Sequence, residues 1–261
     1  MNKKTTDKSF RELIKDNWRL FVFMILMCVI GGYFTTIYTL NSFDQSLVEE
    51  GIKQVGSREL LIAITVLQVS IYAVVFAGIG MVLSNRIGLW RKFQINKKAI
   101  TNVIIVSIIA GLAMSVFDKY VFGSLVDPVS QLYDSKPTIE YIISSFTYGG
   151  VIEEILTRLF LMSLLAWIIS KIFCKKEKEI PAKIFIIANI ISALLFAALH
   201  IPSTIQLFGY IDALILFRCF LLNGAFGLAF GWLYRKYGIQ YAMLAHFGAL
   251  LISKLIWLLF I

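Results

Sequence analysis

Apolar residues run through this chain in seven long stretches, at about 18–40, 59–84, 99–117, 141–173, 184–200, 213–234 and 239–261, separated by short polar connections. Each stretch spans or nearly spans a hydrocarbon layer, which takes about 20 residues of helix. In lipid such stretches must be helices, because no backbone group can be left unpaired. The pattern therefore predicts an all-α, polytopic transmembrane bundle of about seven spans. The 141–173 stretch is long for one span. The irregular stretch from Asp118 to Glu140, with Pro128 and Pro137, reads as a loop.

Composition agrees with the pattern. Hydrophobic residues make up 59% of the chain, charged residues 16%, and the mean hydropathy is +0.80. Soluble domains average about 45–50% apolar and about 25% charged. The formal charge of +9 would suggest nucleic acid in a soluble protein. Here the cations flank apolar spans, so topology explains them and a nucleic-acid partner is not expected; the partner they imply is the lipid bilayer. The segment to Arg19 holds six Lys or Arg, the 85–98 loop five and the 174–183 loop four. The 41–58 and 118–140 loops hold two each, and 201–212 none. That alternation predicts an integral, multi-pass protein, with a cytoplasmic amino terminus and an external carboxyl terminus. The basic amino terminus and first apolar run have no small-residue cleavage site and read as a retained anchor. Lys-Lys-Glu-Lys-Glu at 175–179 reads as a solvated turn. Cys28, Cys174 and Cys219 show no paired spacing, so neither a disulfide framework nor a thiolate metal site follows.

Candidate chemistry lies inside the spans. Ionisable groups at mid-bilayer cost roughly 2.5–3.5 kcal/mol each, so they mark function or tight pairing. The fourth stretch carries Glu153-Glu154 with Arg158, an EExxxR pattern. Glu154 and Arg158 are four apart and share a helix face, which allows an ion pair. Glu153 is rotated about 100° from Glu154 and is free to meet a cavity as a general base. The only histidines are His200, one turn after Phe196, and His246. Two histidines and a glutamate from three helices can bind one divalent metal such as zinc with an open position. They can equally activate water directly, glutamate as base and the histidines as acid or oxyanion donors. No zincin, nucleophile-elbow, Walker or dinucleotide signature is present. Gly224, Gly227 and Gly231 stripe one helix side, which favours close packing. An ion-coupled transporter would also bury such charges, but no internal repeat is visible.

The order EExxxR (Glu153, Glu154, Arg158), FxxxH (Phe196, His200) and a late membrane histidine (His246) resembles the CAAX-protease and bacteriocin-processing family, called CPBP or Abi. The stretch from Phe226 to His246 is similar to that of bacterial members, and the likeness covers about residues 140–255. The charge and hydropathy pattern gives a cytoplasmic basic segment at 1–17 and amino-terminal helices and loops at 18–139, and the likeness implies a catalytic core at 140–261 and residence in a bacterial plasma membrane. The implied activity is intramembrane endopeptidase action on a membrane-associated peptide or protein, as in CAAX processing, peptide maturation or bacteriocin self-immunity. By position, Glu153 would activate water and His200 would assist as base or ligand. His246 would stabilise the oxyanion or bind metal, while Glu154 and Arg158 brace the site. Any metal would sit on Glu153, His200 and His246. The family commonly has Asn or Asp four residues after the last histidine, where this chain has Leu250. That departure favours the alternative of a non-catalytic immunity or scaffold protein with the same fold; Asn223 is the candidate substitute. Counting residues along the spans sets His200 nearer the outer side than Glu153 and His246, so convergence requires an adjusted fifth span.

The charge alternation yields a direct expectation. On a cysteine-free background, an impermeant thiol reagent should reach a cysteine at position 130 from outside only. Labelling solely from the cytoplasm would reverse the topology.

Overall fold

Ten helices follow from these runs in the computed structural model, which describes residues 8–42, 45–175, 177 and 179–261. Residues 1–7 of the basic amino terminus and Lys176 and Lys178 of the 175–179 turn lie outside the described residues. The helices are α1 (Phe10–Asp16), α2 (Trp18–Ser42), α3 (Gln45–Val55), α4 (Arg58–Arg86), α5 (Lys97–Phe122), α6 (Asp127–Leu132), α7 (Ile139–Phe173), α8 (Ala182–Phe208), α9 (Ala213–Tyr237) and α10 (Ile239–Phe260). Seven of them, all but α1, α3 and α6, are long and apolar enough to cross a membrane. The chain is an integral, multi-pass, all-α bundle, with no strand among the described residues.

Local chemistry sets the helix ends. Ser9 and Glu12 form a reciprocal capping box at α1. The Ser57, Asn96 and Asp212 side chains accept from Leu60, Ala99 and Ile215 backbone N–H groups at the starts of α4, α5 and α9. Each satisfies a donor that the helix itself cannot. Gly238, at φ +111°, makes the turn from α9 into α10.

The long α7 runs through the middle, packed on α2, α4, α8 and α10. Ile155, Leu159, Met162, Phe230, Leu233, Ala242 and Ala245 form the dry centre, while Leu67, Ile109 and Leu194 face outward. Three glycines let α9 lie close against α8, as their spacing predicts. A Cβ at Gly224 would contact Ala197, one at Gly227 would press on Ala193 and Phe196, and one at Gly231 would overlap the Asn189 amide.

Two sequence expectations change. The fifth span does not stop at residue 200. Leu199 ends one helical piece, His200 stands at the joint, and Ile201–Phe208 continues with Pro202 in its first turn. Proline is tolerated there because first-turn N–H groups have no intrahelical acceptor. His200 therefore sits inside the span rather than at its outer end. Asp118–Glu140 is also not an irregular loop: α5 runs on through Asp118 to Phe122, and α6 fills much of the remainder. The charge of Asp118 is accommodated by a partner distant in sequence. Arg218 of α9 donates from Nε and Nη2 to its two carboxylate oxygens, each at 2.6 Å, and the Tyr133 hydroxyl donates at 2.8 Å. Burial, then the adjacent Asp118 charge, pushes the Tyr133 phenol above its ordinary range. Beside them Lys254 lies over the rings of Tyr141 (4.0 Å) and Trp257 (5.0 Å).

Removing one member of a buried ion pair strands the other, at about 3–5 kcal/mol. Asp118→Ala should lower the melting midpoint in nanodiscs, and adding Arg218→Met should recover much of it. Equal melting of Asp118→Ala and the parent would contradict this role.

Candidate functional site

Two layers of polar chemistry meet where α7, α8, α9 and α10 converge. The inner layer is sealed. Arg158 Nη1 lies 2.9 Å from Glu154 Oε1, and the same oxygen accepts from Nδ1 of His246 at 2.9 Å. Side-chain exposures are 1% for Arg158, 0% for Glu154 and 4% for His246. The guanidinium is held between rings, its Cζ 4.4 Å from the centre of Phe196 and 5.6 Å from that of Phe230. Phe230 also stacks on the His246 imidazole at 4.6 Å. Cations favour such π faces most where water is excluded.

The second layer is open. Glu153 and His200 are 20% and 27% exposed, with Oε1 3.8 Å from Nε2. Nδ1 of His200 lies 2.8 Å from the Phe196 carbonyl oxygen. A carbonyl only accepts, so Nδ1 carries a hydrogen, and Nε2 is the nitrogen turned to Glu153. Phe196 packs edge-on against both histidines, at 4.7 Å from His200 and 6.2 Å from His246. The predicted set is thus brought together, but divided: Glu153 meets His200, and Glu154 meets Arg158 and His246.

Backbone geometry helps to make that division. α7 is π-helical over Ser145–Ile152 and again over Ile155–Met162, with the two glutamates at the junction. Such i→i+5 turns are rare and concentrate at functional sites. Thr157 ties the layers together: its hydroxyl donates to the Glu153 carbonyl at 2.5 Å and accepts from Arg158 Nη1 at 2.6 Å. Ser192 of α8 donates to the Thr157 carbonyl at 2.7 Å. Thr157, Ser192 and Phe230 were not singled out in the sequence. Only Thr157, beside Arg158, carried a local hint.

Leu250 Cδ1 and Glu153 Oε2 lie 3.0 and 3.9 Å from where a Gly149 Cβ would stand, so the departing residue faces the open layer. Asn223 donates from Nδ2 to the Cys219 carbonyl on its own helix, at 2.9 Å. Its donor end is engaged there.

A model of the type II CAAX prenyl endopeptidase Rce1-like family matches residues 135–252. These residues, somewhat under half of the chain, are similar to that family's domain. The match is consistent with a CPBP intramembrane protease. Glu153, Glu154, Arg158, His200 and His246 all fall within the Rce1-like segment, whereas α1 to α6 lie outside it. Searches of curated proteins and of solved structures give no significant match.

Whether a metal fits can be judged from the donors. Glu153 and His200 face each other, while His246 meets Glu154 through Nδ1 alone, so the fit turns on how close the three groups come. Among the described residues no group of three His, Cys, Asp or Glu side chains is disposed to hold an ion. A three-ligand zinc site on Glu153, His200 and His246 does not fit this arrangement.

Gly227 offers a test of the sealed layer. A Cβ there would lie 2.9 Å from Arg158 Nη2. Overpacking costs about 1–3 kcal/mol, so Gly227→Ala should melt earlier in nanodiscs. Melting unchanged from the parent would show that Arg158 is not tightly confined.

Proposed function

We propose that this protein is an intramembrane endopeptidase that hydrolyses a peptide bond of a membrane-associated protein or peptide. The observation that carries the reading is the open Glu153–His200 pair set on a sealed Glu154–Arg158–His246 layer. Glu153 Oε1 and His200 Nε2 stand 3.8 Å apart, a spacing in which a substrate water would donate a hydrogen to each. Glu153 takes a proton from that water as it attacks the scissile carbonyl carbon, and later returns it to the departing amine. His200 holds the water on its attacking line. His246, anchored through Nδ1, offers Nε2, which when protonated donates to the oxygen that becomes negative. Glu154 and Arg158 fix its orientation.

The core for this chemistry is 140–261, with 18–139 completing the membrane bundle. The charge asymmetry between loops supports a cytoplasmic amino terminus, and the likeness of the stretch from Phe226 to His246 to bacterial members supports a bacterial plasma membrane. Peptide maturation or bacteriocin self-immunity suits such a protein. A second reading, a non-catalytic immunity or scaffold protein, draws support from Leu250, which places a methyl group where a polar donor would help.

Substitution separates the two. Glu153→Gln keeps shape and loses basicity, so processing of a membrane-anchored peptide should cease while expression and melting stay near the parent. His246→Ala should lose roughly 10²–10³ in rate, as for one oxyanion donor. The readout is the cleaved product, or the immunity phenotype, of cells carrying each variant. Full function with Glu153→Gln and His200→Ala would defeat the protease and leave the binding protein.

A further inference from the structure

A tyrosine beside the open layer has chemistry that nothing above uses. Tyr148 lies half-buried on α7, packed against the central core. Interior tyrosines elsewhere have committed hydroxyls: Tyr133 donates to Asp118, Tyr234 pairs with Ser163, Tyr237 accepts from Asn102 and Tyr241 donates to the Gln94 carbonyl. The neighbouring Ser145 and Thr147 hydroxyls are likewise spent, on the carbonyls of Tyr141 and Ile143. The Tyr148 hydroxyl has no hydrogen-bond partner among the described residues, and Glu153 Oε2 reaches to within 3.9 Å of the Cβ position of the adjoining Gly149. A hydroxyl withdrawn from water without a partner is costly. One kept at the edge of a polar opening is available to whatever enters.

The π-helical turn is what brings it there. The Glu153 backbone N–H donates to the Tyr148 carbonyl, five residues back. In an α-helix, residues five apart point about 140° apart; a π-turn of roughly 4.4 residues closes that to about 50°. Helical side chains lean towards the amino terminus, and Glu153 does so, its Oε2 reaching the neighbourhood of Gly149. Tyr148 and Glu153 therefore border the same opening. Leu250 lines its other side with a methyl group.

We propose that Tyr148 is a further catalytic residue, whose phenol O–H hydrogen-bonds the scissile carbonyl oxygen as it becomes an oxyanion. The inference rests on the hydrolysis proposed above. Water oxygen bonds to the carbonyl carbon, its proton passes to Glu153, and the C=O π pair moves onto oxygen, where Tyr148 donates a hydrogen bond without giving up its proton. Collapse re-forms the carbonyl, breaks the C–N bond and sends the Glu153 proton to the amine. Tyr148 thus supplies a donor on the side where Leu250 has none.

The experiment compares purified parent, Tyr148→Phe and Glu153→Gln in nanodiscs on one membrane-anchored peptide. Tyr148→Phe should lower kcat about 10²–10³-fold, with KM and melting near the parent. Adding Leu250→Asn, which returns an amide to the opening, should restore part of the lost kcat. Replacing Tyr148 with a ring-fluorinated tyrosine keeps its size and makes the phenol more acidic. The alkaline limb of kcat should then move to lower pH, a shift that a packing role would not produce. Tyr148→Phe within about threefold of the parent, a smaller change than loss of one donor gives, while Glu153→Gln is inactive, would overturn the role of Tyr148 and leave the protease standing. An inactive parent, or a fully active Glu153→Gln, would remove both.

Discussion

A guanidinium buried to 1% exposure in a membrane bundle is the constraint on which the rest of this structure depends. Arg158 remains charged under any ordinary condition, and a charge out of water must be answered in place. The answer takes the Glu154 carboxylate, the Thr157 hydroxyl and two aromatic faces. These commitments pull α7, α8 and α9 to one point, and Gly227 supplies the room. His246 then joins from α10 by sharing the same carboxylate oxygen.

Sealing one glutamate releases the other. Because Glu154 meets Arg158 and His246, Glu153 is left to face His200 on a more exposed side of the cluster. The two adjacent carboxylates thus occupy unlike surroundings, a means of dividing structural from chemical work. The π-turns on both sides of the pair add a residue per turn and alter which neighbours flank each glutamate. The reading as a peptidase rests on this division within an Rce1-like segment.

Much of the architecture was legible because lipid permits so few solutions. Runs of Leu, Ile, Val and Phe mark the spans to within a few residues, apart from the ends of α5 and α8. Those two fail for identifiable reasons. Asp118 ends the apolar run of α5, yet it is answered by Arg218, one hundred positions away, and such a pairing leaves no local trace. Pro202 and the polar residues after it resemble a loop, yet a proline in a first helical turn does not stop a helix. The site residues were found by their isolation in apolar helices. The Glu154–Arg158 pair was legible from its four-residue spacing, but no spacing says which glutamate each histidine meets. The π-turns of α7 left only one sign, a span too long for an ordinary helix.

The central claim, that Glu154 holds the bundle while Glu153 is held free for chemistry, is tested most directly by the unfolding free energies of Glu153→Gln and Glu154→Gln in the same bilayer mimetic. The account predicts that Glu154→Gln loses about 3–5 kcal/mol, as for one partner taken from a buried ion pair. Glu153→Gln should unfold like the parent or be more stable, because a partly exposed acid whose nearest ionisable partner stands 3.8 Å away contributes little to folding. Equal losses in the two variants, or a larger loss for Glu153→Gln, would contradict the division.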